Sequence, residues 1–204
     1  MINADKKRIQ ILEAATRRFA HFGLAKTTMS EIAQDLSFSK ALLYYYFPDK
    51  NALYAAVLTH VTDQSFAELE KELSSIGDCQ EAMMFILDKR IAFITKYYTL
   101  LENSISAAQQ IPDEMACVMR DSKAREVALI GGILQKGVDA GQLVVDDIQE
   151  TAEMILFALV GMRFSILKDL KGALFPTKGE FDRILQLQKK MATVFLKGLA
   201  APSA

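Results

Sequence analysis

From Lys6 to Phe22 the apolar residues recur at intervals of three and four, so that Ile9, Leu12, Ala15, Phe19 and Phe22 fall on one stripe. That spacing predicts an amphipathic helix, and Gly23 follows where a helix C-cap favours a residue at positive φ. In AKTTMSEIAQDL, Thr28 and Glu31 have the T-x-x-E spacing of a capping box, which starts a second, short helix at about Met29. LSFS interrupts the period, and Ser39 is placed to cap a third helix, KALLYYYF, that Pro48 and Asp49 bring to an end. Two short helices joined by about four residues outline a helix-turn-helix.

Beyond Lys50 the same period runs longer, predicting helices over 51–74, 78–98, 99–111, 113–140, 147–170 and 179–199, with breaks at Gly77-Asp78, Pro112-Asp113, Gly141 and GALFPTKG. The fold class is therefore all-α: an N-terminal three-helix domain with a helix-turn-helix over 1–50, followed by a larger helical bundle over 51–204. Ile148, Ala152, Ile155, Leu159 and Met162 line one stripe of a helix that is apolar nearly all round, as expected between its own core and a partner. The final helix, carrying Phe181, Ile184, Leu185, Met191, Val194 and Phe195, is its natural companion.

With 51% hydrophobic residues the chain can fill a core without covalent staples. Cys79 and Cys117 are far apart and read as reduced, buried small hydrophobes. Charges interrupt the N-terminal stretch every few residues, which predicts no export signal. MILFALVGMRFSIL, at 154–167, is short for a bilayer span and carries Arg163, so no membrane partner and a cytoplasmic protein are expected. Arg163 is expected to pair with a carboxylate at the edge of an interface, the alternative being an acidic ligand. Residues 1–50 hold eight Lys/Arg against five acids, a net of +3, whereas the remainder is at −4; only the first quarter suits a polyanion. GxGxxG, Walker, GxSxG and HExxH motifs are all absent, and His21 and His60 stand far apart without ligand-spaced neighbours. Neither an enzyme nor a metal or cofactor is predicted.

SFSKALLYYYFPDK concentrates three tyrosines, two phenylalanines and two lysines. On a helix from Lys40 to Phe47, Leu43 and Phe47 share a face and should pack on Ile32, Ala33 and Leu36. Tyr45 then points outward with Ala41 and Leu42 beside it, Tyr44 and Tyr46 fall on the flanks, and Lys40 and Lys50 bracket the set. Phenols and ammonium groups contact phosphates, and flat rings pack on sugars and thymine methyls in a major groove that admits a helix. Duplex DNA is the partner that matches. A helical module that docks a protein through the same rings is the competing reading.

The block TTMSEIAQDLSFSKALLYYYFPDKNAL is similar to the N-terminal domain of the TetR family of bacterial transcriptional regulators, in which a TT-x-x-x-IA helix, a small turn and S-K-G-x-LYYYF-x-x-K recur. The resemblance covers about residues 6–54. It departs at Leu36-Ser37-Phe38, where the family often has A-G-V, and at Ala41, where it often has Gly.

The resemblance implies phosphate anchoring by Thr27 or Thr28, Tyr44 and Lys50, with Ser39, Lys40, Leu42 and Tyr45 at or near base edges. It further implies a homodimer built on the last two long helices, a near-palindromic double-stranded operator, and a small-molecule effector in the bundle. Candidates for effector contact are Met84, Leu87, Ile91, Tyr98, Leu101, Ile105 and Met119, with Asn103 and Gln109 as polar groups. Repression relieved by an apolar ligand is the expected mode, and ligand-dependent activation is the alternative.

Overall fold

In the computed structural model the described residues are 2–105, 113–169 and 176–202. They form α1 (Ile2–Lys26), α2 (Met29–Asp35), α3 (Lys40–Tyr46), α4 (Lys50–Leu73), α5 (Cys79–Lys96), α6 (Tyr98–Ile105), α7 (Asp113–Asp139), α8 (Ile148–Asp169) and α9 (Lys178–Gly198). Among these residues there is no strand, only an isolated antiparallel bridge between Leu143 and Ala200. The all-α expectation is met.

Several helix starts follow from one device. Asp49, Asp78 and Asp147 each accept a backbone N–H three residues on, from Ala52, Glu81 and Glu150 at 2.7–2.9 Å, and Thr177 forms a full capping box with Glu180. Gly23 has the expected positive φ of 76°, yet the chain resumes helical geometry and α1 runs on to Lys26. Phe22 beside this break and Ile9 at the edge of the stripe are both 46% exposed, whereas Ile11, Leu12, Ala14, Ala15 and Phe19 are buried. The buried face of α1 is thus shifted by a residue or two from the predicted stripe.

The chain forms two compact units, Met1–Phe66 with Lys96–Asp121, and Ala67–Thr95 with Ser122–Ala204. The boundary expected after Lys50 does not coincide with either. In the first unit α1 packs on both α2 and α6; the Phe19 ring meets Tyr54 of α4 edge-on at 5.2 Å, and the Tyr54 hydroxyl donates to the Leu100 carbonyl of α6. Those long-range contacts bring the start of α4 and all of α6 to the N-terminal helices.

The second unit has its own core, with Met83, Ile86 and Leu87 of α5, Ile130, Ile133 and Leu134 of α7, Ala152, Ile155, Leu156 and Leu159 of α8, and Ala192 and Leu196 of α9. Gln188 of α9 is buried and donates Nε2–H to the Leu159 carbonyl at 2.8 Å, which satisfies its amide inside the α8–α9 packing. Cys79 is in this core, and burial pushes its thiol pKa up. Cys117 is exposed, contrary to expectation, because it occupies a solvent-facing position of α7. No described helix is long and apolar enough to cross a membrane.

After α7 the chain reverses through Gly141, at φ 68°, and Leu143 folds back over Gly137. The C-terminal segment clamps this turn, with Val144 N–H donating to Leu199 at 2.8 Å and Ala201 N–H to Gln142 at 2.9 Å. A Cβ on Gly137 would lie 2.5 Å from Leu143 Cδ1. Gly137→Ala is therefore expected to destabilise the protein by about 1–3 kcal/mol, measured by denaturant unfolding. The Gly137→Ala/Leu143→Ala double variant should cost less than the sum of the two singles.

Candidate nucleic-acid interface

Two seven-residue helices and the turn between them build the candidate surface. Thr28, extended at φ −118°, caps α2: its Oγ accepts from Glu31 N–H at 3.3 Å, and the Glu31 carboxylate accepts from Thr28 N–H at 2.9 Å. The predicted capping box is present. The turn closes through Ser37 N–H to Gln34 at 3.0 Å and Phe38 N–H to Ala33 at 2.9 Å. Ser37 itself stands at φ 54°, alone among the described non-glycine residues in having a positive φ. The family's turn glycine has its physical reason here. Ser39 then caps α3, with Oγ accepting from Leu42 N–H at 3.2 Å.

The faces sort as the 3.6-residue period predicts. Ile32, Ala33, Leu43 and Phe47 are buried, while Tyr45 is 81% exposed. Tyr44 is also exposed, and Tyr46 is half-buried with its ring edge-on to Tyr45 at 5.3 Å. Lys40 and Ala41 are exposed and Leu42 half-buried. Ser39, Lys40, Leu42, Tyr44 and Tyr45 thus share one capped helix, with the Ser39 proton left for an external acceptor.

The two threonines and Lys50 are held differently from expectation. Thr27 is fully buried and donates its hydroxyl to the Gly23 carbonyl at 2.8 Å, bracing the break in α1; an outward phosphate contact by its side chain is corrected accordingly. Thr28 is exposed, but its hydroxyl proton goes to Glu31 at 2.8 Å. Lys50 Nζ donates to the Leu24 carbonyl at 2.8 Å, and since an ammonium has three donors, two remain for an anion.

An electrostatic brace fixes α1 to α2. Arg18 makes a two-pronged contact with Asp35, at 2.6 and 2.8 Å, and reaches Glu31 at 3.4 Å. The hydrogen bond to Asp35 raises the Arg18 pKa, and the same bond holds the Asp35 carboxyl below its ordinary value. Glu31 is lowered chiefly by its bond to Thr28. Arg8 adds a guanidinium 5.3 Å over the Phe47 ring. Sequence reading missed these partners because they are distant along the chain; the pairing of Arg18 with Asp35 spans 17 positions.

The effector candidates are divided between the two units. Leu87 and Ile91 are buried and Met84 half-buried in the second, with Leu87 part of its core and Met84 packed against it. Tyr98 and Leu101 are half-buried in the first, and Met119 is 37% exposed, a correction to its expected place in an apolar lining. The side chains of Asn103 and Ile105, and the whole of Gln109, lie outside the described residues.

Ser37→Gly should relieve the turn and raise stability by up to about 1 kcal/mol. Chemical denaturation is the measurement, with DNA affinity unchanged as the expected control.

A family model for bacterial regulatory proteins of the tetR family matches residues 11–57, which contain α2, the turn and α3. The HTH-type transcriptional regulator RutR of Escherichia coli (strain K12) is 29% identical over 139 residues, 67% of this chain; the chain spans only 65% of that relative's length. Among solved structures, a transcriptional regulator from Cytophaga hutchinsonii is 32% identical, with a TM-score of 0.82 over 93% of this chain and 96% of that one. FadR from Bacillus subtilis in complex with stearoyl-CoA shares the fold, with a TM-score of 0.69, 16% identity, and coverage of 94% and 98%. With the capped helix-turn-helix matched by the family model and the whole fold matched by a relative, the chain belongs to the tetR family of bacterial regulatory proteins.

Proposed function

We propose that this protein is a sequence-specific, DNA-binding transcriptional regulator that acts in the cytoplasm as a homodimer on a near-palindromic operator, and that a small apolar ligand releases it. The observation that carries the reading is α3: a helix fixed by a serine cap and a buried Leu43, which holds Tyr45 at 81% exposure and begins with an exposed Lys40. Exposing a tyrosine to this degree gains nothing for folding, whereas the groove surface of a duplex offers its ring and hydroxyl partners.

In this reading residues 1–50 make the DNA contacts and 51–204 serve ligand binding and dimerisation. Ser39, Lys40, Leu42 and Tyr45 face base edges, while Tyr44 and the free donors of Lys50 hold phosphates. Dimerisation falls to α8 and α9, where Met154, Phe157 and Val194 are 49, 53 and 69% exposed. Covering these apolar side chains with a second copy would remove them from water. The relation in fold to a protein found with stearoyl-CoA supports a small-molecule effector. Release requires that the ligand bind more tightly to the dimer whose recognition helices no longer match successive grooves.

Fluorescence anisotropy of duplexes from the region flanking the gene, titrated at two salt concentrations beside a scrambled duplex, tests the proposal. Wild type is expected to bind one fragment tightly and salt-dependently. Tyr45→Ala should weaken that binding by roughly tenfold or more, and Lys50→Ala should lower the salt slope by about one, both with unchanged circular dichroism. Equal binding of both variants and wild type to the specific duplex would overturn the assignment of α3.

A further inference from the structure

We propose that Arg163 receives the carboxylate of a small monoanionic molecule with an otherwise apolar body, inside the second compact unit. The inference rests on the reading that this part of the chain takes up a ligand, and it names that ligand's chemistry.

Arg163 lies on the inward face of α8. It follows Leu159 by four residues, Leu156 by seven and Ala152 by eleven, and all three are buried. Met154, Phe157, Gly161 and Ser165, all exposed, occupy the opposite side. The Arg163 stem leaves the helix away from the apolar stripe proposed for dimerisation, which favours the acidic-ligand alternative over a carboxylate at an interface edge.

The contacts of the side chain point the same way. Arg163 Nε is buried without a hydrogen bond, and the guanidinium makes no ion pair among the described residues; its recorded contact is the face of its neighbour Phe164, at 5.5 Å. From α5, on the same side as Ile86, Leu87 and Ile94, Arg90 also points inward, and its Nε is likewise buried and unpartnered. Arg90 forms an ion pair with Glu126 of α7 at 2.9 Å. Burial, followed by the charge of Arg90 and offset only in part by Glu126, lowers the Arg163 pKa to about 10, so it remains a cation at neutral pH. Asp88, two residues before Arg90, is already engaged by Lys189 at 2.6 Å.

Two guanidiniums and one carboxylate leave a surplus of one positive charge in a setting of leucine and isoleucine. Arg163 is half-buried, with its Nε shielded from water and unpartnered; partial desolvation of a cation without a counter-ion is unfavourable, and one monoanion offsets it. A carboxylate matches the guanidinium fork in two-pronged geometry, and the apolar side chains around it suit a hydrocarbon or aromatic body better than a hydrated inorganic ion.

The test uses the full chain with decanoate and phenylacetate as probes, their methyl esters as neutral controls, and sulfate as an inorganic control, read by thermal shift and calorimetry. At least one carboxylate should raise the Tm by roughly 5 °C at a hundredfold excess over its Kd, while its ester and sulfate do not. Arg163→Met should fold with an undiminished Tm, because it removes a buried charge, and lose the carboxylate by at least tenfold in affinity. Glu126→Gln should bind the same carboxylate more tightly, an effect that a purely structural role for the cluster does not produce. The inference is overturned if neither carboxylate binds better than its ester, if Arg163→Met keeps wild-type affinity, or if sulfate gives the same shift, which would mean an adventitious ion only. Parallel DNA titrations separate the two proposals. Carboxylate binding without loss of DNA would leave the anion site standing and remove the release mechanism, whereas intact DNA binding with no carboxylate response would remove the anion site alone.

Discussion

A helix of seven residues does not persist in water by itself, because nucleation fixes several dihedrals before hydrogen bonds compensate. Both α2 and α3 are that short, so the candidate surface depends on what holds their ends and inner faces. Thr28 and Glu31 close the start of α2, Ser39 closes the start of α3, and Ile32, Ala33, Leu43 and Phe47 bury the faces between them. Arg18 then locks α2 to α1 through Asp35, and α1 is in turn packed on α6. Tyr45 can stand exposed because so much around it is fixed.

The second unit uses charge in the opposite way. In the first unit Arg18, Asp35 and Glu31 are near the surface and reciprocally satisfied, and they position backbone elements. In the second, Arg90 and Arg163 are drawn toward an apolar core with more positive charge than Glu126 neutralises. Burial of that kind opposes folding unless something else is gained, and a site for an anionic ligand supplies the gain. The same arrangement accounts for why α8 is apolar nearly all round yet carries one arginine: its outer stripe and its inner face answer to different partners.

What was legible in the sequence was local. Helix starts were written as T-x-x-E and as aspartates ahead of apolar runs, and the outward turn of Tyr45 followed from 100° per residue and the burial of Leu43. Even the cost of Ser37 could be anticipated, since the turn requires a positive φ there. What was not legible depended on distance. Thr27 looked available for phosphate, but the resumption of α1 after Gly23 turns it inward. Cys117 and Met119 are apolar in type, yet burial depends on which faces of α7 are covered, and both positions are exposed. The boundary after Lys50 followed the motif rather than the packing, because the meeting of α1, α4 and α6 is set by contacts such as Tyr54 with Leu100. The inward aim of Arg163 was readable from the period of α8; the absence of an ion pair to it among the described residues was not.

The central claim is that α3 reads a duplex through its major groove. Methylation interference addresses it most directly, applied to DNA selected by the protein from a random pool. If the account is right, methyl groups at guanine N7, which lies in the major groove, will block binding within two symmetry-related half-sites on one face of the duplex, spaced by whole helical turns. Failure to select a common sequence, or selection of one whose major-groove methylation leaves binding intact, would contradict it.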